Sequence, residues 1–569
     1  MDAIESLQNA LPVYVNVYIA IFRYVAPVLA LLILLRAIIP LLSFRREPEI
    51  WGWLDISDGR KVPITHWETV IGSNKHSDIV IACEGVAKSH GVLTRYDDGS
   101  WTISDNHTAT GTMVNGDSVS VRALKKNDTI QIGGLDLKFQ PISSKEEKHL
   151  ASLRTRASSF SSSVANLMLL TLFQLMSCVG FLMTGKSTWE YILGYGGIAA
   201  LQWALFIFYL FLRRPAFEME TIAFFLCTMG MAAICTVVPS EAVKQMISIA
   251  LGIGIFIVVG WTLRDLERAK KIRYLAAVGG IALLVATLVF GRQINGAKNW
   301  IFIAGVSLQP SELSKVCFVL VGASAMDRIM TKRNLIGFIA YSVTMCGCLA
   351  LMNDFGAALI FFCAFLVVAY MRSGSVGTLT LACTSLVFAG VVVLKFAPHA
   401  VSRFSTWRHI WEDVYGNGYQ QTRALMCMAS GGLLGLGQNQ GWMKNLFASE
   451  SDVVIATIGE EWGLIMVIAL VLAVAGLAVF TVRSASVGRS SFYTIGSCTA
   501  ATILVVQVIL NALGTVDVVP LTGVTFPFLS NGGSSMLCAW GLLSFIKAAD
   551  TRQNGSFAVK LLKRGGRRE

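Results

Sequence analysis

The sequence has 569 residues, of which 54% are hydrophobic and 14% are charged, with a formal net charge of +12. Soluble domains usually contain about 25% charged residues, so this composition places most of the chain in lipid. The basic residues cluster between apolar stretches, which is typical of membrane-protein loops and argues against nucleic acid as a partner. The 12 cysteines form no CxxC pair, so neither a disulfide framework nor a zinc site is predicted.

The first apolar stretch, near residues 13–42, is long enough to cross a hydrocarbon core of about 30 Å. It has no basic start and no small-residue cleavage site, so we expect a retained anchor at residues 1–46 rather than a signal peptide. Arg45 and Arg46 follow it directly, and acidic residues precede it. The positive-inside rule therefore places the N-terminus outside and the following segment in the cytoplasm.

Residues 51–142 are polar, with short alternating strands separated by turn signals such as Asn115-Gly116 and Gly133-Gly134. Such a pattern predicts a small β-sandwich, which the first helix would leave in the cytoplasm. A linker rich in serine and arginine follows at residues 143–163, and the apolar pattern then resumes.

Apolar stretches of crossing length recur to residue 548, and with the first one they make about thirteen predicted transmembrane helices. The other twelve lie near residues 164–183, 188–212, 219–238, 243–262, 273–290, 312–330, 336–352, 354–371, 377–396, 456–482, 492–514 and 533–548. Alternation then places the basic tail, 549–569, in the cytoplasm. It places three longer connections outside, at 291–311, 397–455 and 515–532.

The β-rich segment carries Ile71-Gly72, the strand Asp78 to Ile81, His90 and the run Thr110 to Gly116. Their order and spacing resemble the forkhead-associated (FHA) domain, a family that binds phosphothreonine.

Three positions depart from that family. Where it holds phosphate with Arg, Ser and Asn, this sequence has Ser73, Ala87 and Thr110. Lys75 and Lys88 are point charges without the fork of a guanidinium. We therefore expect a degenerate pocket and a phosphate-independent docking module for an unknown cytoplasmic protein.

The predicted outer connections contain ionisable groups at the ends of apolar spans. Glu312 and Lys315 are three residues apart and can pair on one helix face. Ionisable groups at membrane depth are costly and are functional candidates. Asp354 and Asp452 each precede a span, where a helix-capping role is the alternative. Glu460 and Glu461 lie deeper and need partners.

The remaining motifs lie in the same connections. They are Trp300, Gln309-Pro310-Ser311-Glu312, Arg403, Gly418-Tyr419-Gln420 and Phe528-Leu529-Ser530 through Ser534. In this order the motifs resemble the SEDS family (shape, elongation, division and sporulation proteins), over roughly residues 217–548. The family has a ten-helix core, so the chain is expected to be a polytopic all-α membrane protein with two additional helices at 164–216 and a cytoplasmic FHA-like β-sandwich.

The resemblance implies a peptidoglycan glycosyltransferase that polymerises lipid II at the outer face of the bacterial cytoplasmic membrane. It implies Asp452 as general base of an inverting reaction, with Glu312 and Lys315 as further catalytic residues. The expected substrate-binding residues are Arg403, Gln420, Trp300, Gln309, Asp354, Ser530 and Ser534. Lys315, Arg403 or a divalent cation, Mg²⁺ or Mn²⁺, would offset the charge of the leaving diphosphate. A class B penicillin-binding protein, a transpeptidase, is the implied partner.

Two alternatives stay open at this point. One is a lipid II flippase. The other is a weakly active scaffold that recruits cell-wall synthesis proteins through the FHA-like domain. The survival of Asp452, Glu312 and Lys315 favours the polymerase over the scaffold.

Overall fold

A computed structural model describes residues 2–556 apart from 44–48, 76, 97–98, 107, 144, 147–148, 151–156, 186, 295, 304–305, 326–331, 374–375, 397, 489 and 554. The predicted basic tail therefore lies mostly outside the described residues, as do parts of the linker at 143–163. The described chain has two parts, a β-sandwich and a large bundle of apolar helices.

The sandwich consists of two mainly antiparallel sheets, with strand orders β2-β1-β11-β10-β7-β8 and β4-β3-β5-β6-β9. Its strands are β1 Gly52–Ile56, β2 Lys61–Ile64, β3 Glu68–Gly72, β4 Ile79–Val80, β5 Gly91–Arg95, β6 Trp101–Asp105, β7 Thr112–Val114, β8 Asp117–Val119, β9 Val121–Leu124, β10 Thr129–Ile132 and β11 Leu135–Pro141. Alternate residues point inward, and apolar side chains such as Leu54, Ile103 and Phe139 fill one core. The predicted turns at Asn115-Gly116 and Gly133-Gly134 contain residues with positive φ, which explains their glycines.

The helices that follow the sequence order are α1 Asp2–Leu42, α2 Phe160–Thr184, α3 Thr188–Phe211, α4 Glu218–Val237, α5 Ala242–Leu263, α6 Leu266–Phe290, α7 Pro310–Ala325, α8 Lys332–Leu351, α9 Phe355–Ser373, α10 Val376–Phe396, α11 Pro398–Thr406, α12 Tyr419–Gly431, α13 Val454–Trp462, α14 Leu464–Ala485, α15 Ser491–Thr515 and α16 Gly533–Ala548. Among the described residues, ten helices are long and apolar enough to cross a membrane. The predicted spans near 312–330, 377–396 and 533–548 coincide with α7, α10 and α16, which are not among those ten. The chain is a multi-pass membrane protein.

One predicted span differs in detail. The stretch 456–482 is two helices, α13 and α14, separated by Gly463 with φ +84. A side chain at this glycine would lie 2.3 Å from the Leu433 carbonyl oxygen. The apolar pattern runs through the break, so hydropathy alone does not reveal it.

A second difference concerns the predicted connection 291–311. It contains a three-stranded sheet, β12 Arg292–Ile294, β13 Ala297–Ile303 and β14 Val306–Leu308. The Lys298 amide donates a hydrogen bond to the Met352 carbonyl, so this sheet packs on the turn between α8 and α9.

The additional helices α2 and α3 are joined to the bundle by buried polar contacts. Gln174 of α2 donates to Gln202 of α3 and to Thr228 of α4. At one end of the bundle, Arg552 pairs with Glu218 and Asp550, and one of its nitrogens donates to the Pro40 carbonyl of α1. The first helix, the additional helices and the rest of the bundle therefore form one packed unit.

Candidate active site

Asp452 lies in a tight turn immediately before α13. The amides of Ser451 and Asp452 both donate to the Ala448 carbonyl, and Ala448 itself has φ +55. A residue other than glycine in this left-handed conformation is strained, and such strain concentrates at functional sites. The turn leaves the Asp452 side chain partly exposed, so it is able to meet a substrate.

Asn511, near the end of α15, fixes this turn from inside the bundle. Its side-chain nitrogen donates to the Asp452 carbonyl at 2.9 Å and to the Val524 carbonyl at 2.8 Å. Gly523 adjoins the carboxylate, because a Cβ placed there would lie 3.5 Å from Asp452 Oδ2. The side-chain amide of Asn511 thus bonds both to the Asp452 turn and to the segment after α15.

The environment of Asp452 alters its proton affinity. The pKa of Asp452 is raised to about 6, mainly because the carboxyl group is buried. The hydrogen bond from Ser451 and the Arg403 guanidinium lower this pKa, while the negative charge of Glu450 adds to the increase. Burial also raises the pKa of Glu450. A carboxyl group that titrates near neutrality can take up and release a proton during a reaction.

Two predicted substrate-binding residues lie around the same turn. Arg403 donates to the Thr522 carbonyl, next to Gly523. Gln420 donates to the Phe447 carbonyl at the start of the strained turn. Both residues are partly exposed, so part of each side chain is free to contact a ligand.

The segment between α15 and α16 connects Asp452 to the motif at the start of α7. Ser530 donates to the Ser451 carbonyl at 2.7 Å, and the Phe526 amide donates to Ser530. Ser534, in the first turn of α16, accepts a hydrogen bond from the Gln309 amide at 2.9 Å. Ser530 and Ser534 are both buried, and their hydrogen bonds hold the backbone of the Asp452 turn and of the Gln309 segment.

Glu312 and Lys315 form the predicted pair in the first turns of α7. Lys315 Nζ lies 2.5 Å from Glu312 Oε1, and the two side chains are 1% and 6% exposed. Glu312 Oε2 has no hydrogen-bond partner among the described residues. A buried carboxylate oxygen without a partner is costly, and this atom is able to accept a further hydrogen bond.

Asp354 lies near this pair and also contacts β13, the strand that contains Trp300. Asp354 accepts a hydrogen bond from the Ala357 amide, so it does cap α9, and its other oxygen accepts from Asn299 next to Trp300. It is also close enough to act electrostatically on Lys315. Asp354 thus combines the capping role with a place at the site.

Glu460 and Glu461 are structural. The Trp442 and Met443 amides donate to Glu460, and Thr236 and the Gly441 amide donate to Glu461. These carboxylates hold the loop before Asp452 rather than face a substrate.

Two residues at the site were not predicted as site residues from the sequence. Asn511 is 1% exposed, and its Oδ1 atom has no partner among the described residues. Thr522 Oγ1 is likewise buried and unpaired within that part of the chain. A polar side chain inside an apolar span such as α15 was the available signal for Asn511.

At the edge of the β-sandwich, the predicted phosphate pocket has other contacts. The Ser73 amide donates to the Ala87 carbonyl, and Thr110 donates its hydroxyl to the Gly85 carbonyl at 2.7 Å. Lys88 is exposed. The hydroxyl that replaces the family's asparagine is therefore used inside the domain.

The fold and the site define a multi-pass membrane protein with a carboxylate-centred site at one end of its helices and a β-sandwich at the other. The family model described as cell cycle protein, FtsW/RodA/SpoVE, matches residues 224–555, and the FHA domain model matches residues 69–133. The chain belongs to the FtsW/RodA/SpoVE family and carries an FHA domain.

Curated relatives share about half of the chain. The peptidoglycan glycosyltransferase RodA of Mycobacterium tuberculosis is 29% identical over 326 residues, covering 54% of this chain and 69% of that protein. The probable peptidoglycan glycosyltransferase FtsW of Tolumonas auensis is 30% identical over 301 residues, covering 51% of this chain and 77% of that protein. A chain of a solved peptidoglycan synthase complex is 22% identical to this one, with a TM-score of 0.48. The match covers 58% of this chain and 96% of that chain.

Proposed function

We propose that this protein is a peptidoglycan glycosyltransferase that polymerises lipid II, with Asp452 as the general base. The observation that carries the proposal is a partly exposed carboxyl group with a pKa of about 6, set in a strained turn beside Arg403. Family membership supports the same reaction class, because the curated relatives carry that name.

In the proposed reaction, a sugar hydroxyl attacks the anomeric carbon of a second lipid-linked saccharide. Asp452 takes the hydroxyl proton as the new glycosidic bond forms, and the bond to the lipid diphosphate breaks with inversion. The diphosphate leaves with its electron pair. Lys315 and Arg403 would stabilise its charge, and Glu312 would keep Lys315 oriented.

A divalent cation stays a prediction for this site. Among the described residues, no three His, Cys, Asp or Glu side chains are grouped to hold an ion. Mg²⁺ is commonly held by one or two carboxylates together with substrate phosphates, which fits Asp452 and a bound diphosphate. Such an ion would neutralise charge on the diphosphate.

We infer the sidedness from the charge pattern of the loops. Basic clusters between the spans support a cytoplasmic FHA-like domain and C-terminus, with the N-terminus and the Asp452 site outside. A class B penicillin-binding protein is the proposed partner, because glycan polymerisation must be combined with cross-linking to make a wall. The FHA-like domain is the proposed docking module for a cytoplasmic protein. Its phosphothreonine pocket is degenerate, because the phosphate-binding positions of the family hold Ser73, Ala87 and Thr110 here.

The test is polymerisation of lipid II by the purified full-length protein, with and without a class B penicillin-binding protein. We expect wild-type protein to make glycan strands and Asp452→Asn to make none, with both proteins equally folded by size-exclusion chromatography. Equal activity of Asp452→Asn would remove Asp452 from the role. No product from either protein, even with the partner, would favour the scaffold alternative.

A further inference from the structure

The end of the FHA-like domain opposite its phosphate pocket contacts the helical bundle. Glu68, the first residue of β3, is 7% exposed, and its Oε2 atom accepts hydrogen bonds from Ser490 at 3.3 Å and Ser491 at 3.1 Å. Ser490 is fully buried. These serines begin α15, so a carboxylate of the soluble domain occupies the N-terminal end of a membrane helix.

This contact is chemically well matched. The first amides of a helix lack acceptors within the helix and carry a partial positive charge, which favours a carboxylate. Ser490 already caps α15 by accepting from the Phe492 amide while its hydroxyl donates to Glu68. Glu68 therefore extends the cap of α15 from a separate domain.

A second connection lies on the other side of the same loop. Arg483, in the last turn of α14, donates to the Leu42 carbonyl at the end of α1. The end of the anchor is thus attached to the end of α14, and the first residue of β3 is attached to the start of α15.

Beside Glu68, the guanidinium of Arg95 lies over the rings of Trp51 and Trp67, at 4.4 and 5.6 Å. Cation–π contacts of this kind stabilise the contacting end of the domain.

The pocket edge is at the other end of the same strand. Ser73 follows the last residue of β3, five positions after Glu68, which is about 16 Å for an extended strand. The domain therefore has one end fixed to the bundle and one end, with the exposed Lys88, open to a partner.

We propose that the FHA-like domain binds in cis to the α14–α15 segment through Glu68, and that this contact positions α15 and, through Asn511, the Asp452 turn. Asn511 lies 20 residues beyond Ser491 on one continuous helix, about 30 Å away. A displacement of the helix start is thus passed to the hydrogen bond between Asn511 and the Asp452 carbonyl. The effect on catalysis rests on the proposed polymerase function, while the contact itself does not.

The contact is tested by cross-linking the full-length protein in membranes. Glu68→Cys with Ser491→Cys is treated with a short bismaleimide in a background carrying Cys83→Ser and Cys383→Ser, which removes exposed thiols. We expect most molecules to cross-link. The control pair is Glu84→Cys with Ser491→Cys, in which Glu84 is an exposed residue at the phosphate-pocket end of the domain. This control pair should not cross-link. Equal yields from the two pairs would overturn the proposal.

The coupling is tested by charge reversal. Glu68→Lys places a cation at the start of α15, so amide hydrogen exchange in its first turn should rise about tenfold or more, as expected for an opened helix end. Adding Ser491→Glu should restore protection, and the matched variant Glu84→Lys should leave it unchanged. Unchanged exchange in Glu68→Lys, or failure of Ser491→Glu to rescue it, would contradict the coupling.

The same variants separate this inference from the polymerase proposal. Glu68→Lys should lower lipid II polymerisation by about fivefold or more, the lower range of coupling between sites, and Ser491→Glu should restore it. Wild-type protein without polymerase activity would refute the proposed function, while cross-linking and exchange would still decide the contact. Full polymerase activity in Glu68→Lys, with exchange raised, would refute the link to Asp452.

Discussion

Replacing Asn511 with alanine removes two of the hydrogen bonds that hold the Asp452 turn against the segment after α15. Each bond contributes about 1 kcal/mol net, and a buried carbonyl left without a donor costs about 1–3 kcal/mol. We expect a total loss of stabilising free energy near about 2–3 kcal/mol, because the carbonyls of Asp452 and Val524 can regain some hydrogen bonding from water. At about 1.36 kcal/mol for each factor of ten, the proposed polymerisation rate should fall about 30- to 160-fold.

The assay is glycan polymerisation on purified lipid II, with kcat and KM measured separately. The loss should fall mainly on kcat, because Asn511 positions Asp452 through the backbone. Thr499→Ala is the matched control, since Thr499 is also buried on α15 but its hydroxyl donates to the Ile495 carbonyl of the same helix. A wild-type kcat in Asn511→Ala, or an equal loss in Thr499→Ala, would refute the reasoning.

Three further predictions concern charge. Polymerisation activity should be full above pH 7 and fall about tenfold per pH unit below about pH 6, because Asp452 must be ionised to accept a proton. Glu450→Gln should move the midpoint of the pH–rate profile to lower pH, because it removes a negative charge that raises the pKa of Asp452. An unchanged midpoint in Glu450→Gln would show that Glu450 does not raise the pKa of Asp452. Lys315→Met should destabilise the protein by about 3–5 kcal/mol in thermal unfolding, because Glu312 is left charged and buried, and Glu312→Gln in the same chain should recover much of it. If Glu312→Gln does not restore stability, the unpaired charge of Glu312 is not the cause of the loss. Ser73→Arg should raise affinity for a phosphothreonine peptide in calorimetric titration, whereas tight binding by the natural protein would show the pocket to be intact.

Hydropathy and loop charge were sufficient to locate the long apolar helices, because each membrane span must satisfy its own backbone within an apolar stretch. They do not reveal α11 and α12, which lie inside the predicted connection 397–455. The break at Gly463 between α13 and α14 depends on a close approach of the Leu433 carbonyl, which belongs to another part of the chain. The strands β12–β14 are only three to seven residues long and pair only in the folded protein, so they leave no clear pattern in the sequence.

The candidate site was predictable in part. Glu312 and Lys315 lie three residues apart on one helix, so their ion pair follows from local geometry. Asn511 and Gly523 approach Asp452 only because the segment after α15 folds back over the turn. Contacts between residues 59 positions apart, such as Asn511 and Asp452, leave no local pattern in a single sequence.

The ion pairs of Arg552 have a consequence for biosynthesis. Arg552 reaches back to the Pro40 carbonyl, 512 residues earlier, and to Glu218. A membrane protein is made from its N-terminus, so α1 and α4 enter the bilayer long before their partner exists. Until then Glu218 lacks this cation, and the first helix lacks its final anchor. These contacts of the bundle therefore form only after residue 552 has been made, so α1 and α4 must wait in the membrane for a partner that is synthesised hundreds of residues later.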